Sequence, residues 1–327
     1  MKKIIISLII LIIVIFGLLL TFNKKSKDNN LKHIKVAEVA HSIFYAPWYV
    51  AIENDYFKDE GLDVEVILTS GANNVVAAVL SNDVNIGFCG PEATIYIYNE
   101  GEKDYIKTFS GLTKRDGQFI VSREKKNNFN INDLIGSEVL AGRIGGMPEL
   151  NFENALRNSN VNVNSVNINT TVEFGALSGA FISGVGDYVN LFEPNATQLE
   201  KMGFGYVVGS IGELSGEMPY TAFNARSSYI EKNKDTIKKF TNAISRGLEF
   251  VNENDSETIA NVIIDEFPDT SINDMVTIID RYKKNDSWLL TPYISEDSFK
   301  NLEDIMIKSN QIDNYVNYND LIVNYYE

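Results

Sequence analysis

Short apolar runs alternate with helical patterns along the chain, and this alternation limits the possible folds more than any other feature. Apolar runs at 34–39, 64–67 and 85–90 are separated by segments whose apolar residues recur at helical spacing. Repeated strand–helix–strand units form a mostly parallel sheet that is covered by helices. The sequence therefore predicts an α/β fold.

The same alternation restarts near Asn130, which predicts a second domain. The chain is predicted to leave the first domain near Gln118 and to return near Tyr220. Strands of the second domain are predicted at 138–141, 165–168, 188–192 and 205–208. After Ser227, apolar residues at spacings of three and four predict helices that wrap the first domain, at 233–252, 256–267, 272–284 and 296–309. We expect one lobe from residues 33–119 and 223–327 and a second lobe from residues 120–222.

Residues 1–30 are predicted to form a membrane segment and its tether. Lys2 and Lys3 precede an unbroken apolar run at 4–22, which is long enough for a helix to span a bilayer. The run ends without the small residues of a signal-peptide cleavage site, and it has no cysteine for lipid attachment. We therefore expect a single-span anchor in the cell membrane, with the folded part extracellular. A cleaved export signal and a domain held on the cytoplasmic face are the alternatives.

The charge balance and the scarcity of cysteine and histidine exclude several classes of function. The formal net charge is -15, from 29 Lys and Arg against 44 Asp and Glu. Nucleic-acid binding is excluded, because it needs clustered cations that neutralise phosphates. Cys89 is the single cysteine, so there is no internal disulfide, and a zinc site with only two histidines would depend on carboxylates. No metal and no cofactor are expected.

The segment 42–66 is predicted to place aromatic residues at the mouth of the first strand–helix unit. Phe44, Tyr45 and Trp48 cluster before and within the first turn of the helix, after a predicted strand. In open α/β sheets, small ligands bind in the crevice beyond the carboxyl ends of the strands. A glycine-rich turn at 142–148 can present backbone N–H groups to a ligand, and Glu193 follows another strand end. These features predict a binding crevice between the two domains.

Several of these motifs resemble those of the substrate-binding proteins of ABC importers, in the group that includes binders of nitrate, sulfonates, taurine and thiamine precursors. The motifs are Tyr-Ala-Pro-Trp-Tyr-Val-Ala at 45–51, Tyr-Phe-Lys-Asp-Glu-Gly-Leu-Asp-Val at 56–64, Asp-Val-Asn-Ile-Gly at 83–87, Gly-Gly at 145–146 and Phe-Glu-Pro at 192–194. The resemblance covers nearly everything from Ile34 onward. It implies a two-lobed periplasmic-binding-protein-like fold of type II, with two crossing strands as the hinge. It also implies a monomer that captures one small molecule and delivers it to a permease and its ATPase.

The resemblance implies a ligand site, formed by the residues of this chain that match the positions of the family's pocket. They are Phe44, Tyr45, Trp48, Tyr49, Ser70, Gly71, Gly90, Glu92, Gly145, Gly146, Tyr188 and Glu193. This set is rich in aromatic rings and carboxylates, which suit a flat, nitrogen-bearing ring that is neutral or cationic. Within the family, such a ligand looks like thiamine or its aminopyrimidine precursor.

Other functions stay open on the sequence alone. Nitrate, taurine or an alkanesulfonate would need a cation in the site, and Arg143 is expected to serve that role in preference to Arg115. The same fold group includes a thiamine-pyrimidine synthase, which is the alternative from another class. That enzyme needs a lysine, a histidine and a cysteine-rich motif, whereas this chain offers His41 near the crevice and the single cysteine. A membrane-anchored sensor is a third class. We expect no catalytic residues and no enzyme activity.

Overall fold

The computed structural model describes residues 31–325, and two five-stranded sheets organise them. The strands are β1 (Lys32–Glu38), β2 (Leu62–Leu68), β3 (Ile86–Cys89), β4 (Ile106–Thr113), β5 (Phe119–Ser122), β6 (Glu138–Leu140), β7 (Asn167–Asn169), β8 (Tyr188–Leu191), β9 (Tyr206–Ser210) and β10 (Thr221–Arg226). The α-helices are α1 (Ala46–Glu53), α2 (Tyr56–Asp59), α3 (Ala72–Leu80), α4 (Glu92–Asn99), α5 (Met147–Asn158), α6 (Leu177–Ile182), α7 (Asn195–Lys201), α8 (Ile211–Ser215), α9 (Ser227–Lys232), α10 (Lys234–Glu253), α11 (Ser256–Ile263), α12 (Ile272–Lys284), α13 (Glu296–Lys308) and α14 (Tyr318–Leu321). Short 3-10 helices lie at Ile43–Tyr45, Ile131–Leu134, Val163–Ser165, Phe174–Ala176 and Ile264–Glu266.

The first sheet has the strand order β2-β1-β3-β10-β4. β1 runs parallel to β2 and β3, while β10 runs antiparallel to β3 and β4. β1, β2 and β3 are each followed by a helix, as the alternation of apolar runs predicts. The carboxyl ends of β1 and β3 therefore lie at the same edge of the sheet, and α1 and α4 begin there.

The second sheet has the strand order β7-β6-β8-β5-β9. β6 runs parallel to β7 and β8, and β5 runs antiparallel to β8 and β9. The strands predicted at 138–141 and 188–192 are confirmed as β6 and β8, each with its last predicted residue outside the strand. Both halves of the chain therefore have the predicted α/β architecture.

Two connections join the sheets, at the positions predicted from the sequence. Residues 114–118 lead from β4 to β5, and residues 216–220 lead back to β10. The connections lie side by side, since the Met218 N–H donates to the Lys114 carbonyl at 3.1 Å and the Tyr220 N–H donates to the Thr113 carbonyl at 3.0 Å. The lobe boundaries at residues 120 and 222 stay a prediction, and so does a hinge motion about these connections.

α10 and α11 pack on the helices and strands of the first sheet, as predicted, whereas α12 and α13 also contact the second half, at Glu193 and at α5. α10 meets α1 at Gly247, where a Cβ atom would lie 2.2 Å from the carbonyl oxygen of Pro47. Glycine permits this close approach of two helix backbones. The contact encloses an aromatic cluster, in which the Trp48 ring centroid lies 5.3 Å from that of Phe57 and 5.2 Å from that of Phe223. Trp48 is fully buried and belongs to this core.

The predicted membrane anchor at 4–22 and its tether lie outside the described residues. Between residues 31 and 325, no helix is long and apolar enough to cross a membrane. The anchor therefore stays a prediction.

Candidate functional site

A cavity lies between the two sheets, beyond the carboxyl ends of β1, β3, β6 and β8. It encloses about 600 Å³, counting the part that is open to solvent. The part that the centre of a water molecule can reach is about 70 Å³, which is room for a few waters in this form of the site. The lining comes from both halves of the chain: Val39, Ala40, Tyr45, Gly71, Ala72, Gly90, Glu92, Arg143, Gly146, Met147, Pro148, Glu173, Phe174, Phe192, Tyr220 and Thr221.

Part of the predicted ligand site lines this cavity. The lining members are Tyr45, Gly71, Gly90, Glu92 and Gly146. Arg143, the residue expected to serve an anion, lines the cavity as well. Arg115 does not line the cavity. Its Nη2 donates to Glu217 Oε1 at 2.6 Å. The crevice expected beyond the strand ends is therefore present, and ligand contact by these residues stays a prediction.

Phe44, Trp48 and Tyr49 do not line the cavity, which corrects their predicted position. Trp48 and Tyr49 lie on α1, which is enclosed between the first sheet and the carboxyl-terminal helices, so both rings are buried in the core. The Tyr49 hydroxyl donates to Glu38 Oε1 at 2.6 Å. Phe44 stacks on Phe192 at a centroid distance of 5.3 Å. Phe44 therefore supports the cavity wall from behind.

Ser70, Gly145, Tyr188 and Glu193 also lie off the cavity lining. Ser70 is exposed, and Gly145 is covered by Tyr96, whose hydroxyl donates to the Gly145 carbonyl at 2.8 Å. Tyr188 is the first residue of β8, so it lies at the end of the strand that is remote from the crevice. The predicted position of Tyr188 was wrong because the crevice forms at the carboxyl end of the strand.

The Glu193 carboxylate is buried in an ion pair rather than exposed to the cavity. Arg281 Nη1 donates to Glu193 Oε1 at 2.6 Å, and the same oxygen accepts from Thr197 Oγ1 at 3.0 Å. The Thr197 backbone N–H donates to Oε2 at 2.9 Å. Burial raises the pKa of Glu193, and the charge of Arg281 opposes that rise. Glu193 thus joins α7 to α12, and both of its carboxylate oxygens accept hydrogen bonds within the protein.

Glu92 is the buried carboxyl group of the cavity lining. It is the first residue of α4, its side chain is buried, and its Oε2 has no hydrogen-bond partner among the described residues. Gly90 makes room for this carboxyl group, since a Cβ atom there would lie 2.0 Å from Glu92 Oε2. Burial raises the pKa of Glu92 to about 7, while Arg143 and nearby backbone N–H groups act in the opposite direction. The site therefore holds a carboxyl group that changes its charge near neutral pH.

Arg143 is the cationic residue of the cavity lining. It follows β6, is half-buried, and donates through Nη1 to the adjacent Ile144 carbonyl at 3.2 Å. Its guanidinium group makes no ion pair with any acidic side chain of the described part of the chain. Glu173 brings a second carboxylate to the rim, but that side chain is exposed. The cavity therefore contains one buried carboxyl group and one cation that is available to a ligand.

Three aromatic residues of the lining were not in the predicted set, namely Phe174, Phe192 and Tyr220. The Phe192 ring lies 5.6 Å from Phe174 and 6.2 Å from Tyr220, measured between centroids. Phe192 follows β8 directly, so its position after a predicted strand could have indicated that it lines the crevice. Phe174 lies in a short 3-10 helix and Tyr220 in a connection between the sheets, where no periodic pattern points to the crevice.

His41, which the enzyme alternative required in the cleft, does not line the cavity. Its ring stacks on Phe267 at 4.5 Å, Nε2 contacts the Glu266 carbonyl at 2.8 Å, and Nδ1 contacts Glu38 Oε2 at 3.3 Å. The Glu38 contact raises the pKa of His41. No lysine or histidine is among the described residues that line the cavity. Within residues 31–325, no cluster of His, Cys, Asp and Glu forms a metal site.

Comparison with known proteins identifies the family. Residues 43–258 match the family described as NMT1/THI5 like. A Bacillus subtilis (strain 168) protein, YtlA, named as a candidate binding protein, is 41% identical over 297 residues, which are 90% of this chain and 89% of that protein.

Solved structures show the same fold at low sequence identity. The alkanesulfonate-binding protein SsuA from Xanthomonas axonopodis pv. citri, bound to MOPS, has a TM-score of 0.71 and 11% identity and covers 89% of this chain and 98% of its own. The periplasmic nitrate-binding protein NrtA from Synechocystis PCC 6803 has a TM-score of 0.61 and 16% identity and covers 77% of this chain and 70% of its own. The resemblance to the substrate-binding proteins of ABC importers is thereby confirmed, and the chain belongs to the NMT1/THI5-like family.

Proposed function

We propose that this protein captures a small, flat, nitrogen-bearing aromatic molecule of the thiamine or aminopyrimidine kind in the cavity and delivers it to an ABC permease. The observation that carries this proposal is the Glu92 carboxyl group, which is buried in the cavity with Oε2 unpartnered. A buried polar atom without a partner is costly, and a ligand that supplies the missing hydrogen bond removes that cost.

The aromatic walls of the cavity favour a planar ligand. Tyr45, Phe174, Phe192 and Tyr220 come from different parts of the chain and all line the same space. Phe192 is held in place by the Phe44 ring behind it. Aromatic faces attract flat heterocycles by burial of apolar surface and by offset stacking, and they attract cationic rings more strongly. The walls therefore suit an aromatic ring better than a small inorganic ion.

The protonation behaviour of Glu92 favours an aminopyrimidine edge. With its pKa raised to about 7, the carboxyl group exists in both its acid and its carboxylate form near neutral pH. The acid form donates one hydrogen bond and accepts another, whereas the carboxylate accepts only. An aminopyrimidine presents a ring nitrogen beside an amino group, so it forms a two-bond pair with the acid form. A protonated ring makes the same pair with the carboxylate, with charge assistance.

A small sulfonate or nitrate is the second candidate, and Arg143 favours it. The guanidinium group lines the cavity without an ion-pair partner among the described acids. Arginine binds oxoanions through a fork of N–H donors. However, an anion in this cavity also meets the Glu92 carboxyl group, and like charges repel strongly in a low-dielectric cleft. The anion is therefore the weaker candidate at a pH above the pKa of Glu92.

Delivery to a permease accounts for the expected arrangement at the membrane. The apolar run at 4–22 would hold the folded part at the extracellular face as a single-span anchor. A tethered monomer stays close to its permease and its ATPase, which raises its effective local concentration. The binding role needs no catalytic residue, and the ligand should leave the protein chemically unchanged.

Calorimetric titration of the full chain in mild detergent tests the ligand class. The ligands are thiamine, a hydroxymethyl aminopyrimidine, taurine, an alkanesulfonate and nitrate. We expect binding of thiamine or the pyrimidine, and recovery of the bound molecule unaltered. Glu92→Ala should weaken that binding by about tenfold to a hundredfold, because the hydrogen bonds to the ring nitrogen and to the amino group are both lost.

Glu173→Ala is the matched control, because it makes the same change at the exposed carboxylate of the same cavity. It should change the affinity by less than about threefold, as is typical of a solvated charge. Binding of the anions alone by the unaltered protein would overturn the heterocycle proposal in favour of the second candidate. Chemical conversion of the ligand would contradict a pure binding role.

A further inference from the structure

Two helices begin at the cavity, one from each half of the chain. α4 begins at Glu92 beside the first sheet, and α5 begins at Met147 beside the second sheet. Neither helix has a side-chain hydrogen bond at its N-cap. The first backbone N–H groups of a helix have no partner within the helix and attract negative charge. The two helix starts therefore favour negative charge in this part of the cavity, and at α5 the Glu149 carboxyl group of the first turn already accepts from the Gly145 N–H at 3.0 Å.

Arg143 adds a full positive charge to the same region. It lies in the loop before α5 and lines the cavity with Gly146, Met147 and Glu92. Backbone N–H groups at a helix start together with an arginine are the usual components of an oxoanion site. In this protein, a carboxyl group of the chain itself already lies among them.

The Glu92 carboxyl group is packed at the point where the two helix starts meet. A Cβ atom built on Gly90 would lie 2.0 Å from Glu92 Oε2 and 2.4 Å from Met147 Cγ, so the carboxyl group and Met147 lie side by side over Gly90. The Arg143 guanidinium and the backbone N–H groups of Ala93 and Met147 all favour the charged form of Glu92. Glu92 thus lies beside the start of α5 and within the field of Arg143, with which it makes no direct ion pair.

We propose that Glu92 is a built-in anion that occupies the oxoanion position formed by Arg143 and the starts of α4 and α5, and that it thereby determines the selectivity of the cavity. The inner side of the carboxyl group neutralises the positive region. Its unpartnered Oε2 remains for a hydrogen-bond donor of the ligand. A single residue therefore both excludes sulfonate-like and nitrate-like anions and attracts a nitrogen heterocycle. Since Glu92 also carries the proposed function, this role rests in part on that function.

Removal of the carboxyl group should convert the cavity into a receptor for small oxoanions. The test measures binding of sulfate, methanesulfonate, nitrate and formate by calorimetry at pH about 8, where Glu92 is mainly ionised. We expect little binding by the unaltered full chain and at least tenfold tighter binding by Glu92→Ala. Formate should compete with sulfate in this variant, because it replaces the deleted carboxylate.

Two further variants separate this role from a general change in charge. Glu173→Ala removes the exposed carboxylate of the same cavity and should leave oxoanion binding within about threefold of the unaltered protein. Adding Arg143→Gln to Glu92→Ala should abolish the gained binding. If Glu92→Ala does not unfold cooperatively, Glu92→Gln replaces it, and a smaller gain of the same sign is expected because the amide is neutral.

The outcomes of this test and of the test of the proposed function are distinguishable. A folded Glu92→Ala protein that gains no binding of any oxoanion, formate included, overturns the built-in anion even if the unaltered protein binds an aminopyrimidine. Gained oxoanion binding supports the built-in anion even if no heterocycle binds the unaltered protein. Tight sulfonate binding by the unaltered protein overturns both.

Discussion

Glu92 and Glu193 are two buried glutamates on opposite halves of the molecule, and they differ in their hydrogen-bond partners. Each lies just beyond the carboxyl end of a strand and next to the start of a helix. Glu193 has Arg281 and Thr197 as hydrogen-bond partners, whereas Glu92 has an oxygen without a partner and lines the cavity. The residue type and its place in the fold therefore do not determine the role of a buried carboxylate. Its partners do, and the decisive one for Glu193 comes from a helix far away in the sequence.

Replacing each of the two glutamates by glutamine should give the largest difference in the free energy of unfolding. Glu193→Gln removes one partner of a buried ion pair, so it should lower the free energy of unfolding by about 2 kcal/mol. This value is reduced from that of a fully buried pair because Arg281 is 30% exposed. Glu92→Gln removes a buried charge that has no ion pair, so it should leave the stability unchanged or raise it by up to about 3 kcal/mol at pH 8. Urea unfolding of the two variants measures both values. A loss at position 92 equal to that at 193 would show that Glu92 has a structural role.

The pH dependence of stability should respond to the Glu92 change as well. The pKa of Glu92 rises from 4.5 in the unfolded chain to about 7 in the folded protein, so the folded state binds the proton more tightly. Its contribution to stability is complete below pH 4.5 and is lost as the pH rises through 7. Glu92→Gln should therefore flatten the decline of stability with pH in this interval by up to about 1.4 kcal/mol per pH unit.

Asp116, with its pKa raised to about 8, should preserve part of that decline in the Glu92→Gln variant. Urea unfolding at a series of pH values, with and without the substitution, isolates the Glu92 contribution. Parallel stability curves for the two proteins would contradict a raised pKa at Glu92.

The smallest expected effect concerns the outer partner of Arg281. Its Nη2 lies 3.8 Å from Glu200 Oε2, a longer contact in which both side chains are partly exposed. Glu200→Gln should therefore cost no more than about 0.5 kcal/mol. The same unfolding measurement compares it with Glu193→Gln. A cost as large as that of Glu193→Gln would mean that the three charges act as one network.

Periodic patterns in the sequence were sufficient for the fold. Alternating apolar runs predicted strands in both sheets, and spacings of three and four predicted the late helices, of which the one at 272–284 agrees with α12 at both ends. The crossings near Gln118 and Tyr220 followed from the change between these patterns. Such predictions succeed because each element shows its own apolar face in its own residues.

The cavity was only partly predictable, because its lining depends on contacts between distant elements. Trp48 and Tyr45 lie in one short motif, yet Tyr45 lines the cavity and Trp48 is enclosed by α10, which comes much later in the chain. The sequence predicts Tyr188 in the site, whereas Phe192, just beyond the other end of β8, is the residue that lines the cavity. Arg281 pairs with Glu193 and so keeps its carboxylate out of the cavity. Arg281 is 88 residues away along the chain, so no local sequence pattern predicts this pair.

The contact between Tyr96 and Gly145 has a consequence for the kinetics of exchange. Tyr96 lies one turn after Glu92 on α4, and Gly145 lies between the lining residues Arg143 and Gly146, so this hydrogen bond fastens one wall of the cavity to the other. The walls cannot separate unless it breaks. We therefore expect the residence time of the proposed ligand to depend on a breathing motion of the protein, in addition to the strength of the contacts that the ligand itself makes.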